Sequence, residues 1–168
     1  MHHLTSRRTL AFLVVLLVGI VGGATATAAI MRSGTPVREV LAQTTNPQGG
    51  NGRTLYLQRV TIPGNTPLAA HTHAGTQIAA ITTGVLRYTV IKGKPVRVLK
   101  PNALGTAPEF IRTIKPGQSY NVKAGYSVIE PAGTAHQVRV IGSTAVVIYV
   151  ASLFTNGEPV SIPYVAPS

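Results

Sequence analysis

From Arg53 onward the apolar residues fall in short runs interrupted every few positions by turn residues, with almost no helical period. The first run, RTLYLQRVTI at 53–62, is rich in β-favouring residues and ends at Pro63-Gly64-Asn65. Further strands are predicted at 71–81, 85–91, 95–99, 110–114, 119–122, 126–130, 136–141 and 145–153, separated by GN, TTG, KGK, KPG, KAG, PAG and IGS. Many short strands with turn chemistry at close intervals predict an all-β domain, an antiparallel sandwich or barrel. Before it, residues 33–53 read as linker and loop, in which TPVREVLAQ is a short helix or an edge strand and NPQGGNG a turn-rich break. After it, NGEPVSIPYVAPS carries three prolines and is expected to lie extended over the surface.

The pattern changes toward the start of the chain. Arg7 and Arg8 precede an uncharged run, 10–30, whose most apolar part is LAFLVVLLVGIV and which closes on the small residues GGATATAA. This is the layout of an export signal over positions 1–28, with A-x-A cleavage options at 24–26 and 26–28. A retained membrane anchor is the alternative, since the run is just long enough to cross a bilayer. Its weakly apolar Gly- and Ala-rich half favours cleavage. SRRTLA resembles a twin-arginine signal, a route for folded proteins, although Ala11 stands where a larger apolar residue is usual. The expected organisation is a signal at 1–28, a linker at 29–52, the β-domain at 53–154 and a tail at 155–168, the 168 residues having room for one ordinary domain. Export to the periplasm or the extracellular side is the expected localisation, with membrane association through an uncleaved N-terminal segment as its rival.

Charge and composition narrow the chemistry. Fifteen Lys and Arg oppose only Glu39, Glu109, Glu130 and Glu158, a net charge of +11 that becomes +9 once the segment 1–28, with Arg7 and Arg8, is removed. Such a surface attracts anions, but the absence of Trp, the few aromatics and the export signal argue against nucleic acid as a partner. Arg87, Lys92, Lys94, Arg97 and Lys100 crowd one predicted hairpin, read as a solvated edge guarded against strand addition, with an anion-binding surface as the alternative. Lacking any cysteine or aspartate, the chain has no disulfides, no cysteine nucleophile and no Ser-His-Asp triad. It also lacks a phosphate-cradling loop and a dinucleotide fingerprint, and its scattered glutamates do not suit a paired-carboxylate glycosidase. Whatever chemistry it performs is expected at a metal.

Beyond the segment 1–28 there are three histidines, His71, His73 and His136. On a continuous strand His71 and His73 face the same way, and Gln77 joins them by parity. His136 follows the tight turn Pro131-Ala132-Gly133 and opens another strand, which a barrel can bring alongside. Neutral imidazoles suit Zn, Fe, Ni or Cu, and three of them leave coordination positions open. An exposed alternating strand and an unrelated loop histidine would give the same HxH.

The segment GNTPLAAHTHAGTQIAAITTG, 64–84, resembles the first motif of the cupin superfamily, and GYSVIEPAGTAHQVRV, 125–140, is similar to the second. The resemblance implies a small double-stranded β-helix, or jelly-roll barrel, over about 53–154. It also implies a divalent transition metal (Fe, Mn, Zn, Ni or Cu) held by His71, His73, Gln77 and His136. Three positions depart from the pattern: Gln77 stands for the usual glutamate, Val140 for a common asparagine, and the spacer between Gly64 and His71 is one position longer than usual. The gap between the motifs, from Gly84 to Gly125, is also long, with room for a lid or specificity element. The activity implied is a metal-dependent small-molecule enzyme of non-haem oxygenase type. The alternatives are a non-catalytic metal-dependent binding protein and a zinc-type isomerase, cyclase or hydrolase. A homodimer is a further implication, since cupin barrels often pair.

Glutamine offers a neutral oxygen where glutamate offers a charge, so a ligating Gln77 would leave a divalent site at +2, more attractive to anions but weaker in metal affinity. Gln77 cannot serve as a base. It either ligates directly or hydrogen-bonds metal-bound water. Glu130 is the nearest carboxylate in sequence to a proposed ligand; parity puts it with Val128 and Tyr126 without saying which way that face looks. The plainer reading is a surface glutamate paired with one of the many basic residues.

Overall fold

The computed structural model describes residues 34–166, and the readings of an export signal and its cleavage sites lie outside the described residues. Within them the chain forms β1 (Val37–Thr45), β2 (Arg53–Ile62), β3 (Pro67–Thr72), β4 (Gly75–Thr83), β5 (Val85–Lys92), β6 (Val96–Pro101), β7 (Pro108–Ile114), β8 (Ser119–Lys123), β9 (Ser127–Glu130), β10 (Ala135–Val140), β11 (Val146–Thr155) and β12 (Ile162–Pro163). A seven-stranded sheet has the order β1-β2-β11-β4-β9-β6-β7 and a five-stranded sheet the order β12-β3-β10-β5-β8, with antiparallel neighbours throughout. From β3 on, with β6 and β7 staying together in the larger sheet, successive strands otherwise alternate between the two sheets. The chain thus winds as a double-stranded β-helix.

Alternation drives this winding. β11 buries Val146, Ile148, Val150, Ser152 and Phe154 and turns the residues between them outward, while β5 buries Leu86, Tyr88 and Val90. The two inner faces meet in one core, with Val60, Ile62, Ile81, Val128 and Ile148 from the larger sheet against Leu86, Val90, Val122, Val138 and Val140 from the smaller. Each such side chain, fully buried, contributes on the order of 1.5–3 kcal/mol. At Gly84, between β4 and β5, the chain turns from one sheet to the other with φ +72°, a conformation that glycine adopts without a Cβ penalty.

Four sequence expectations change in detail. The single strand at 71–81 is two strands: β3 ends at Thr72 in the smaller sheet and β4 starts at Gly75 in the larger, so His73 and Ala74 carry the crossing. The crossing needs glycine, because a Cβ on Gly75 would lie 2.0 Å from the Leu153 carbonyl oxygen. The basic hairpin does not form, because β5 pairs with β8 and β10 whereas β6 pairs with β7 and β9 in the other sheet. The stretch read as linker at 29–52 belongs to the barrel: the edge-strand alternative for TPVREVLAQ holds, since β1 closes a hairpin with β2 and forms an edge of the larger sheet. In the tail, β12 pairs with β3 at His71 and Thr72.

Candidate metal centre

The inward rows of the barrel are apolar at one end and polar at the other. Along β4 the buried side reads Gln77, Ala79, Ile81; along β9, Glu130 then Val128; along β10, His136, Val138, Val140; along β11, Ser152, Val150, Ile148. The polar ends gather in one layer, where His71 of β3 pairs in register with His136 of β10, and Gln77 of β4 lies between Glu130 of β9 and Ser152 of β11.

The structure brings His71, His73 and His136 together, with one ring nitrogen from each lying within 4.8 Å of the others. Their tautomers follow from their partners. The three Nδ1 atoms sit against backbone carbonyls, His71 on Ala69 at 2.8 Å, His73 on Val160 at 2.6 Å and His136 on Thr134 at 3.1 Å. A carbonyl can only accept, so each Nδ1 carries the hydrogen and each Nε2 keeps a free lone pair. The Nε2 of His73 is buried without a hydrogen-bond partner. Ring packing fixes the orientations: His73 stacks on Phe154 at 5.6 Å and His136 on Tyr88 at 4.9 Å between centroids.

Burial depresses the basicity of all three rings. The His73 pKa is lowered to about 4, chiefly by desolvation, with the Glu130 charge opposing. That of His136 is also lowered to about 4 by desolvation, opposed by its bond to Thr134. His71 is lowered by desolvation and then by His136. Neutral imidazoles gathered within 4.8 Å, with Nδ1 committed to carbonyls and the Nε2 lone pairs left over, are the donor set a transition metal requires, so these residues fit such an ion.

Gln77 and Glu130 occupy this layer in a way the sequence does not disclose. Glu130 is 4% exposed, which corrects its reading as a surface carboxylate. Its Oε2 lies 3.5 Å from His73 Nε2 and 3.6 Å from His136 Nε2. Gln77 donates its amide nitrogen to Glu130 Oε2, and its carbonyl oxygen accepts from Ser152 Oγ at 3.2 Å. Sequence reasoning singled out Glu130 but preferred a surface role for it, because SVIE has an apolar residue on both faces, Val128 on one and Ile129 on the other, so parity could not choose. The signal that pointed to it was its position directly before the turn that leads to His136.

A cavity of about 50 Å³ opens among these groups, lined at its polar end by His71, His73, Gln77, Glu130 and His136 and elsewhere mainly by aliphatic side chains such as Ile81, Leu86 and Ile148. That is space for roughly three to five water-sized bodies. Arg38 of β1 also reaches the lining, and its Nη1 donates to Gln58 Oε1 at 2.6 Å. The Tyr88 hydroxyl is buried there with no partner at hydrogen-bond geometry, and its pKa is raised well above the usual value, first by burial and then by the charge and the approach of the Glu130 carboxylate.

Strands winding between two facing sheets, with histidines from the two glycine-bounded segments converging inside, give the chain a double-stranded β-helix, the fold that the resemblance of its two motifs implies. No family model and no curated protein sequence matches it. Solved structures similar to it include an uncharacterized conserved protein with a double-stranded β-helix domain from Klebsiella pneumoniae, at 16% identity over 77% of this chain and 80% of that one, TM-score 0.49. Others are the polyketide cyclase RemF from Streptomyces resistomycificus, at 12% identity over 79% and 72%, TM-score 0.49, and a cupin superfamily protein from Desulfitobacterium hafniense, at 10% over 71% and 78%, TM-score 0.46.

Proposed function

We propose that the protein is an exported, metal-dependent enzyme of the non-haem oxygenase kind, acting on a small molecule at an ion held by His71, His73 and His136. The observation that carries the reading is the convergence of three imidazoles, two buried and His71 half-buried, whose Nδ1 atoms are committed to backbone carbonyls. A bound first-row metal would supply the Lewis-acid or one-electron chemistry that these side chains lack by themselves. The chain does the rest. Phe154 and Tyr88 hold two of the rings by stacking. The aliphatic wall excludes bulk water and limits what enters to a few heavy atoms or one end of a longer molecule. The unpartnered Tyr88 hydroxyl is a hydrogen-bond donor available to an oxygen of that molecule.

The test is the metal content of protein purified from its native compartment without contact with a metal-affinity column. Iron as the dominant ion is expected. Zinc as the sole ion would overturn the oxygenase reading, and failure to take up any ion, even on reloading, would overturn the centre itself. N-terminal sequencing of the same preparation tests export, with a mature start after position 26 or 28 expected.

A further inference from the structure

We propose that the carboxylate of this centre is supplied by Glu130, and that Gln77, at the position the sequence motif assigns to a ligand, instead clamps Glu130 in place. The inference rests on the metal-centre reading above and concerns which side chain completes it.

Gln77 has one atom able to bind a cation, its amide oxygen, and that oxygen accepts from Ser152 Oγ. Its nitrogen faces Glu130 Oε2. The partners are consistent with this orientation, since turning the amide over would set its oxygen against the Glu130 oxygen and leave it without the Ser152 donor. Glu130 is placed as Gln77 is not, its Oε2 being nearly equidistant, at 3.5 and 3.6 Å, from the Nε2 atoms of His73 and His136. Donors bound to one ion at about 2.0–2.2 Å with near-tetrahedral angles stand about 3.3–3.6 Å apart. A carboxylate this deeply buried among apolar walls and neutral imidazoles is costly without a cation.

The strand register shows how little the exchange requires. Gln77 and Glu130 are direct cross-strand partners of β4 and β9. Moving the carboxylate from one to the other shifts it by one strand, about 4.8 Å, along the same layer. The centre thereby keeps one negative charge, and a divalent ion in it would carry a net +1 rather than the +2 that a ligating glutamine leaves. Gln77 is then a positioning residue, tying Glu130 through Ser152 to the centre of the larger sheet.

Cobalt(II) titration of the metal-free full chain, followed by calorimetry and by the visible absorption of the bound ion, tests this. Glu130→Gln is expected to weaken binding about 100-fold and alter the spectrum; Gln77→Ala is expected to weaken it about tenfold with the spectrum preserved, as loss of a ligand-orienting partner does. The double exchange Gln77→Glu with Glu130→Gln restores a carboxylate to the layer and is expected to recover most of the affinity. It also guards against Glu130→Gln failing merely by misfolding. Cobalt binding by Glu130→Gln equal to wild type, with His71→Ala and His136→Ala both defective, would overturn the assignment and leave the metal centre standing. Absence of cobalt binding in the wild-type chain would overturn both.

Discussion

Acid should unfold the metal-free protein in a way set by two of its histidines. His73 and His136 have folded-state pKa values lowered to about 4 from 6.5. The unfolded chain therefore binds more protons than the folded one between those values. Stability is full above pH 6.5 and is lost as the pH falls toward 4. At pH 5 the difference is about 2 kcal/mol for each ring, roughly 4 together, against a typical domain stability of about 5–15 kcal/mol. The charged or titratable groups facing these rings are His71, Glu130, Arg38 and Tyr88; of these only Glu130 favours the protonated imidazole, and for His73 its pull is already contained in the lowered value. For a domain of this size 1 kcal/mol moves Tm by roughly 3–5 °C, so a fall of about 10–20 °C between pH 7.5 and pH 5 is expected. Circular dichroism melts of chelator-treated protein across that range read it directly. His136→Gln, which cannot titrate, should remove about half of the slope. A wild-type Tm that stays level from pH 7.5 to pH 5 would refute the claim that these rings are buried as neutral imidazoles.

Three other outcomes follow from the geometry. Cobalt or zinc at 100 times its dissociation constant should stabilise the fold by about 2.7 kcal/mol and extend its acid limit, measured as a chelator-reversible rise in Tm, because the ion and the proton compete for the same lone pairs. Gly75→Ala should destabilise the chain by more than about 2 kcal/mol in urea, since the added Cβ meets the Leu153 backbone rather than a side chain that could move; an unchanged midpoint would mean that the β3–β4 crossing is not so tight. Tyr88→Phe should leave the metal-free chain equally stable or about 1 kcal/mol more stable, because the hydroxyl it removes has no partner, and a clear loss of stability would reveal a bond that the hydroxyl makes.

The all-β fold was legible from turn residues at close intervals, and the meeting of His71, His73 and His136 from the resemblance of two glycine-bounded histidine segments to the cupin motifs. What was not legible depends on which sheet a residue joins. HTHAGTQ reads as one unbroken strand, yet the chain changes sheets at His73, so His71 and Gln77 approach the cavity from opposite walls and not from one face. The charge run from Arg87 to Lys100 suggests a hairpin because its strands are adjacent in sequence, whereas the winding sends β5 and β6 to different sheets. Glu130 was hidden for a related reason. A buried carboxylate is costly in isolation, and only the register that sets Gln77 and two histidines beside it offsets that cost. The candidate donors could be read one residue at a time, but their partners could not.

The carbonyl that fixes the His73 tautomer belongs to Val160, 87 residues further along the chain. This gives the centre an order of assembly. The ring is in place by sequence position early in the domain, but its proton is directed only after β11 has been inserted between β2 and β4 and the chain has passed over the barrel to pair β12 with β3. A metal arriving on a growing chain would meet a His73 free to present either nitrogen. The set of three nitrogens presented together belongs to the finished molecule, and shortening the chain before Val160 would change which nitrogen His73 offers without touching any of the three rings.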